Sequence, residues 1–354
     1  MTNLEKMQSL LTGEVDGLLL TSRYSRHYAA RYDIAEGVAV VSRTGCRYFT
    51  DSRYIEAAQQ GISGFEVVEV NREHPYAKLL NEAIAEFGIT NMGYEENYLT
   101  VGEFLGYESK LNVKLVPLCG PINSFRDVKE EWELERMRKA QDITDAAFTE
   151  VLTRIKLGMT EKELCAELIY CLLKNGGEGL SFDPIVVSGP NTSRPHGVPG
   201  ERKLQEGDFV TMDFGVIYQG YCSDMTRTIA LGYATDEMKK VYNTVLQAQL
   251  TGIAATRPGV RGKDIDAAAR KVIADAGYGP YFGHGYGHGV GLEIHERPNC
   301  KAGGETVMQA GNVCSAEPGI YLPGKFGVRI EDVVIFQTDG CEDITHSPKN
   351  LIIL

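Results

Sequence analysis

The chain carries an internal echo. LGMTEKELCAELIYCLLKNGG at 157–177 aligns without a gap on PGVRGKDIDAAARKVIADAGY at 258–278: Gly158 falls on Gly259, Glu163 on Asp264, Leu164 on Ile265, Ala166 on Ala267 and Gly176 on Gly277. Each copy reads as a turn, an amphipathic helix and a glycine stop, and Thr160 with Glu163 makes a capping-box pattern in the first. Two copies about a hundred residues apart predict a duplicated half-domain, since a solenoid needs shorter and more numerous repeats.

The echo continues past the helices. DFVTMDFGVIYQGYCSDMTRTIALG follows the first copy and NVCSAEPGIYLPGKFGVRIEDVVIF the second, and both read as hairpins. Each puts two carboxylates where a strand normally buries apolar side chains: Asp213 and Asp224 in one, Glu317 and Glu331 in the other. A four-residue loop, 217–220, sets Asp213 directly opposite Asp224, and a two-residue loop sets them diagonal on one face. A five-residue loop, 322–326, pairs 321 with 327 and therefore 317 with 331. Like charges facing each other in a sheet repel, and a buried carboxylate without a partner is costly. Two divalent cations balance four carboxylates, and a neutral imidazole adds a ligand without adding charge. A dinuclear site with a bridging water or hydroxide is the simplest chemistry that closes.

The imidazoles are concentrated in GHGYGHGVGLEIHE, 283–296, which holds three of the seven histidines. Glycine at 283, 285, 287, 289 and 291 makes a helix improbable, and no register gives the dinucleotide pattern GxGxxG. An extended strand able to approach a ligand closely is expected. His284 and His288 would share a face, and His295 would point away unless a bulge at Gly289 or Gly291 intervenes. Spacing alone does not choose the ligand.

Upstream, residues 1–123 alternate strand-like runs (GVAVVS, FEVVEV, KLVPLC) with a helix-like YAKLLNEAIAEFG, the pattern of a small α/β domain. The charged segment INSFRDVKEEWELERMRKA opens a long helix with Trp132, Met137, Ala140, Ile143, Ala147, Phe148, Val151 and Ile155 at helical spacing, which puts the boundary near Asn123 and gives domains 1–123 and 124–354. A net charge of −12 argues against a nucleic-acid or anionic-membrane partner, and no run reaches the ~20 apolar residues of a membrane span. The eight cysteines include no Cys-x-x-Cys pair, as in a chain with reduced thiols in a cytoplasm.

Together, DFG-x-x-x-x-G-Y-x-S-D-x-T-R-T, HGYGHGVGLEIHE, SAEPGIY and GVRIEDVV resemble the pita-bread metallopeptidases of family M24, in their prolidase and aminopeptidase P branch. The likeness runs in order over residues 125–354, and YFTDSRYIEAA resembles that branch's creatinase-like N-terminal domain. It implies an α/β (α+β) fold with a pseudo-twofold catalytic domain, and Asp213, Asp224, His288, Glu317 and Glu331 as metal ligands, Asp224 and Glu331 bridging. It also implies Glu317 as the residue that handles the proton of the bridging water, and His295 as the contact to the substrate carbonyl. His196 and His284 would line the proline side, and Arg329 would either neutralise a carboxylate or bind substrate. Tyr221 and Phe182 read as packing residues. The reaction implied is hydrolysis of the peptide bond before proline, by a cytoplasmic homodimer. The ions would be Mn(II) from the carboxylate-rich set, with Co(II), Fe(II) or Zn(II) also suited. Two alternatives use the same fold: a methionine aminopeptidase, which would lack the His284-Gly285-Tyr286 extension and the N-terminal domain, and a peptide-binding module without catalysis, which would have lost the ligands.

Overall fold

Short apolar runs bounded by turn formers, valine-rich in GVAVVS and FEVVEV, make the strands of the first unit, and one amphipathic run shows how its helices close over them. In the computed structural model, which describes residues 1–354, contacts divide the chain into Met1–Arg126 and Asp127–Leu354. The first unit has strands β1 (Gly17–Leu20), β2 (Val38–Ser42), β3 (Cys46–Asp51), β4 (Glu66–Val70), β5 (Asn91–Tyr94) and β6 (Lys114–Pro117). They form one mixed sheet in the order β4-β3-β2-β1-β5-β6. Helices α1 (Asn3–Ser9), α2 (Arg23–Ala30), α3 (Ile55–Gly61), α4 (Tyr76–Phe87), α5 (Val101–Lys110) and α6 (Cys119–Ser124) complete it. α4 buries Leu79, Leu80, Ala83 and Ile84, one helical face, and stops at Gly88, whose left-handed φ of 67° suits glycine.

The second unit realises the echo. α8 (Glu161–Lys174) and α10 (Gly262–Asp275) are the two aligned copies. At α8 the capping box forms as expected, Thr160 N–H donating to Glu163 Oε2 (2.7 Å) and Glu163 N–H to Thr160 Oγ1 (3.1 Å). A longer helix precedes and packs on each, α7 (Glu131–Leu152) on α8 and α9 (Asp236–Ala255) on α10, so the duplicated unit is a helix pair followed by a hairpin. α7 ends at Leu152, and Ile155 lies beyond it, packed on the same core.

The strands of this unit are β7 (Gly179–Leu180), β8 (Ile185–Ser188), β9 (Phe209–Phe214), β10 (Val216–Tyr218), β11 (Tyr221–Cys222), β12 (Met225–Ala230), β13 (Gly287–Gly289), β14 (Glu296–Cys300), β15 (Val313–Ala316), β16 (Gly319–Leu322), β17 (Phe326–Arg329), β18 (Asp332–Phe336) and β19 (Cys341–Asp343). The first half-domain orders β12-β9-β8 and the second β14-β13-β15-β18-β19. Each half has its own core: Phe148, Leu168, Met212 and Ile229 in one, Val245, Ile265, Cys314 and Val334 in the other. No helix is long and apolar enough to cross a membrane.

Candidate active site

Both carboxylate-bearing hairpins are interrupted where their acids sit. In the first, β9 pairs with β12 (Asp213 opposite Thr226) and β10 with β11 at the tip (Tyr218 opposite Tyr221). The turn is the two-residue Gln219-Gly220, both at positive φ (46° and 84°), the type I′ geometry that matches strand twist. Asp213 and Asp224 are therefore diagonal, and Asp224 lies in the gap between β11 and β12. In the second hairpin the connection is shorter than expected: Leu322 pairs with Phe326, leaving 323–325 as the turn, while Tyr321 still pairs with Gly327. The same register resumes at Ala316 opposite Asp332, so Glu317 and Glu331 face each other in an unpaired gap. Released from the ladder, these N–H groups bond elsewhere: Glu331 to Thr226 O (3.1 Å), Glu317 to Tyr286 O (2.8 Å) and Asp224 to Gln141 Oε1 (3.3 Å). These bonds tie the gap residues to other elements and turn their side chains into one pocket.

The glycine-rich stretch is extended only briefly. β13 spans Gly287–Gly289, His284 precedes it, and the chain reverses before β14, so His295 is not on the same strand as His288. A bulge between Gly287 and Gly289 accompanies the reversal. His295 folds back until its ring centroid is 4.2 Å from that of His288, at 79°. The glycines answer to neighbouring strands more than to a ligand: a Cβ on Gly287 would lie 1.9 Å from Ser315 O, and one on Gly289 2.6 Å from the Arg297 backbone.

All nine residues singled out from the sequence line one cavity of about 1150 Å³: Asp213, Asp224, His288, Glu317, Glu331, His196, His284, His295 and Arg329. Ligand atoms of Asp224, His288 and Glu331 lie within 4.8 Å of one another, and Glu317 Oε1 is 3.4 Å from His288 Nε2. Asp213 is held differently. Its Oδ2 accepts from Arg329 Nη2 at 2.5 Å, and its buried Oδ1 has no partner. Arg329, 3% exposed, thus meets Asp213 and not the neighbouring Glu331. Its Nε donates to Thr226 Oγ1 (3.0 Å), which in turn donates to Glu331 Oε2 (2.7 Å), and its Nη1 donates to Tyr321 OH (2.8 Å).

Burial, then repulsion from Asp213 and Glu317, pushes the Asp224 carboxyl well above the usual range. Burial and Asp224 do the same to Glu331, and burial raises Glu317 to about 8. Burial lowers His288 to about 3 and holds His295 below its ordinary value. The His288 tautomer follows from its contacts: Nδ1 is 3.1 Å from Gly289 O, which can only accept, so the proton is on Nδ1 and the Nε2 lone pair faces the carboxylates.

These features fit a metal pair. Four carboxylates converge against a single guanidinium, an acidic oxygen is buried without a donor, and an imidazole presents a lone pair with its other nitrogen fixed by a carbonyl, the outer-shell arrangement of histidine ligands. Several contributors were not singled out from sequence. Tyr321 and Thr226 lie inside the recognised motifs but read there as ordinary strand residues. Ser315 Oγ donates to Glu317 Oε1 (3.2 Å) and accepts the His288 N–H (3.0 Å). Glu161, buried at the start of α8, accepts from Ser188 N–H (2.7 Å) and Gly200 N–H (3.0 Å) and so fixes the loop carrying His196. Phe182 lines the pocket, and Tyr221, taken as packing, donates its hydroxyl to buried Glu133 at 2.7 Å.

The turn that carries His295 rests on a buried ion pair. Lys129 Nζ meets Glu296 Oε1 at 2.7 Å with side chains 1% and 3% exposed, and Glu296 Oε2 accepts the Glu293 N–H (3.2 Å). A Cβ on Gly291 would sit 2.3 Å from Glu296 Oε1, so a side chain there would push the carboxylate off its partners. Lys129→Met leaves Glu296 buried without its cation and should cost about 3–5 kcal/mol. Lys129→Met with Glu296→Leu should recover most of that loss, because both charges leave together. Denaturant midpoints of the two variants test this, and equal losses would contradict it.

Residues 135–338 match metallopeptidase family M24, and residues 4–128 match the creatinase/prolidase N-terminal domain. The structure of an Xaa-Pro dipeptidase from Bacillus anthracis is similar with a TM-score of 0.95 at 40% identity over 99% of each chain. An X-Pro aminopeptidase from Thermotoga maritima gives 0.93 at 35% identity over 100% of each chain. An Xaa-Pro dipeptidase of Pyrococcus horikoshii is 33% identical over 96% of this chain and 95% of its own.

Proposed function

This chain belongs to metallopeptidase family M24, and from that premise we propose that it hydrolyses the peptide bond preceding proline, in Xaa-Pro dipeptides or at the N-terminal Xaa-Pro of longer peptides. The reading is carried by the convergence of Asp213, Asp224, His288, Glu317 and Glu331 on one cavity with Arg329 as the single buried counter-charge. In it those five residues would hold two divalent ions, Mn(II) by ligand chemistry. When bound, the ions polarise the scissile carbonyl and acidify a water.

The chain's own groups do the rest. Ser315 fixes Glu317 through Oε1, leaving Oε2 to take the proton of the attacking water and return it to the departing nitrogen. His295, uncharged because burial disfavours its cation, donates an N–H to the carbonyl oxygen as negative charge develops there. Arg329 holds Asp213 by Oδ2 and leaves Oδ1 without a protein partner, the atom through which Asp213 would hold an ion. Tyr321, His284 and Phe182 wall the cavity. Proline's ring and fixed φ let walls of that shape select it against other residues. A homodimer in the cytoplasm completes the reading, and light scattering tests the assembly state.

Metal loading should release protons. Burial and mutual repulsion raise Asp224 and Glu331, and burial lifts Glu317 to about 8, so the metal-free protein holds a proton on Glu317 at pH 7 that ligation must displace. Affinity should therefore rise with pH until about 8, the Glu317 value. Calorimetric titration of Mn(II) in buffers of different ionisation enthalpy should show heats that depend on the buffer, and identical heats would contradict it. Relatives named for dipeptidase and for aminopeptidase activity both match this chain. Rates on an Xaa-Pro dipeptide and an Xaa-Pro-Yaa tripeptide separate the two, and cleavage of the tripeptide alone would overturn the dipeptidase assignment.

A further inference from the structure

A dipeptide ending in proline carries a carboxylate directly beyond the scissile bond, and a pocket that selects such peptides needs a positive charge to meet it. Two fully cationic side chains line the cavity, Arg329 and Lys301. Arg329 is already committed: Nε to Thr226 Oγ1, Nη1 to Tyr321 OH and Pro195 O, and Nη2 to Asp213 Oδ2. His284 offers no charge. Burial and the nearby Arg329 lower it to about 4, and both ring nitrogens are engaged at 2.9 Å, Nδ1 donating to Gly285 O and Nε2 accepting from Tyr321 OH.

Lys301 is different. It follows the last residue of β14, it is exposed, and no hydrogen bond or ion pair engages its ammonium. It is placed against the His284 flank of the cavity, because a Cβ on Gly285 would lie 2.7 Å from Lys301 Cβ. The other lining charge without a protein partner, Asp183, is an anion. It sits two residues before Ile185, which pairs with Asp213 across β8 and β9. A carboxylate is repelled from that side and attracted to the Lys301 side.

We propose that the Lys301 ammonium pairs with the free C-terminal carboxylate of the substrate and so makes Xaa-Pro dipeptides the preferred substrates. The inference rests on the reading of this cavity as an Xaa-Pro site. A residue added after proline turns that carboxylate into a neutral amide and carries the charge about 3.5 Å further along the chain, out of register with Lys301.

The test compares kcat/KM of the metal-loaded enzyme on Ala-Pro and on Ala-Pro amide, which differ at that carboxylate. The wild type should favour the acid by about 3- to 5-fold, as one exposed charge pair provides. Lys301→Ala should remove that preference while leaving the amide rate within about twofold, Lys301→Arg should retain it, and Lys301→Glu should reverse it. A preference that survives Lys301→Ala, or equal losses on both substrates, would overturn the assignment. Calorimetric binding of L-proline and L-prolinamide, which have no peptide bond to cut, is the second arm. If Ala-Pro is not hydrolysed but L-proline still binds more tightly than L-prolinamide in a Lys301-dependent way, the reaction was misread and the role of Lys301 stands. If neither arm depends on Lys301, its role fails whatever the reaction.

Discussion

Asp224→Ala is expected to abolish hydrolysis and metal binding together, a loss of roughly a thousand-fold or more in kcat. The magnitude follows from the several kcal/mol of charge stabilisation that a catalytic ion supplies, at about 1.4 kcal/mol per tenfold in rate. Asp224 is central because it is buried in the gap between β11 and β12, in the same tight group as His288 and Glu331, and faces the carboxylates of the opposite hairpin. Its removal would take a carboxylate out of the centre of the proposed ligand set. A second consequence runs the other way. Without ions, Asp224 is a buried like charge among others, so the isosteric Asp224→Asn should make the metal-free protein more stable, by about 1–2 kcal/mol, while cancelling the stabilisation that added metal gives the wild type. Elemental analysis and denaturant midpoints with and without chelator measure both. Retained metal in Asp224→Ala would remove it from the ligand set.

His295→Ala should also lose turnover, by about 10²–10³-fold in kcat, which is the usual worth of one donor to a developing oxyanion. Unlike Asp224→Ala it should keep its metal. His295 touches His288 edge to face at 4.2 Å between ring centroids, yet it lies outside the Asp224–His288–Glu331 group. KM should change little, because the interaction belongs to the transition state. An emptied metal site in this variant would mean that the histidine ligand has been misassigned.

What the sequence revealed, and what it concealed, follows from the range of the interactions. The helix copies were visible because their information is local: Thr160 and Glu163 sit three apart, and the apolar stripe of α10 repeats within one helix. The register of the second hairpin was legible from its turn even though the turn proved shorter, because 321 opposite 327 is unchanged by pairing Leu322 with Phe326. The route of 283–296 was not legible. Whether those glycines extend or reverse the chain depends on Ser315 O, the Arg297 backbone and the Glu296 carboxylate filling the places of missing Cβ atoms, and all three are set by tertiary packing. Arg329 shows the same limit. Two residues from Glu331, it reads as that residue's counter-ion, but in the fold it spans to Asp213 on the other hairpin. Lys129 and Glu296, 167 positions apart, give no sign of each other in the sequence.

A metal titration is the most direct probe of this cavity as a metal-dependent Xaa-Pro hydrolase site. Chelator-stripped protein is assayed on Ala-Pro as Mn(II) is added, with bound metal measured in parallel. Hydrolysis should be negligible at the start and should rise to saturate at about two ions per chain. Hydrolysis that is indifferent to chelation, or metal binding at full occupancy with no cleavage before proline in Ala-Pro or in an Xaa-Pro-Yaa peptide, would contradict it.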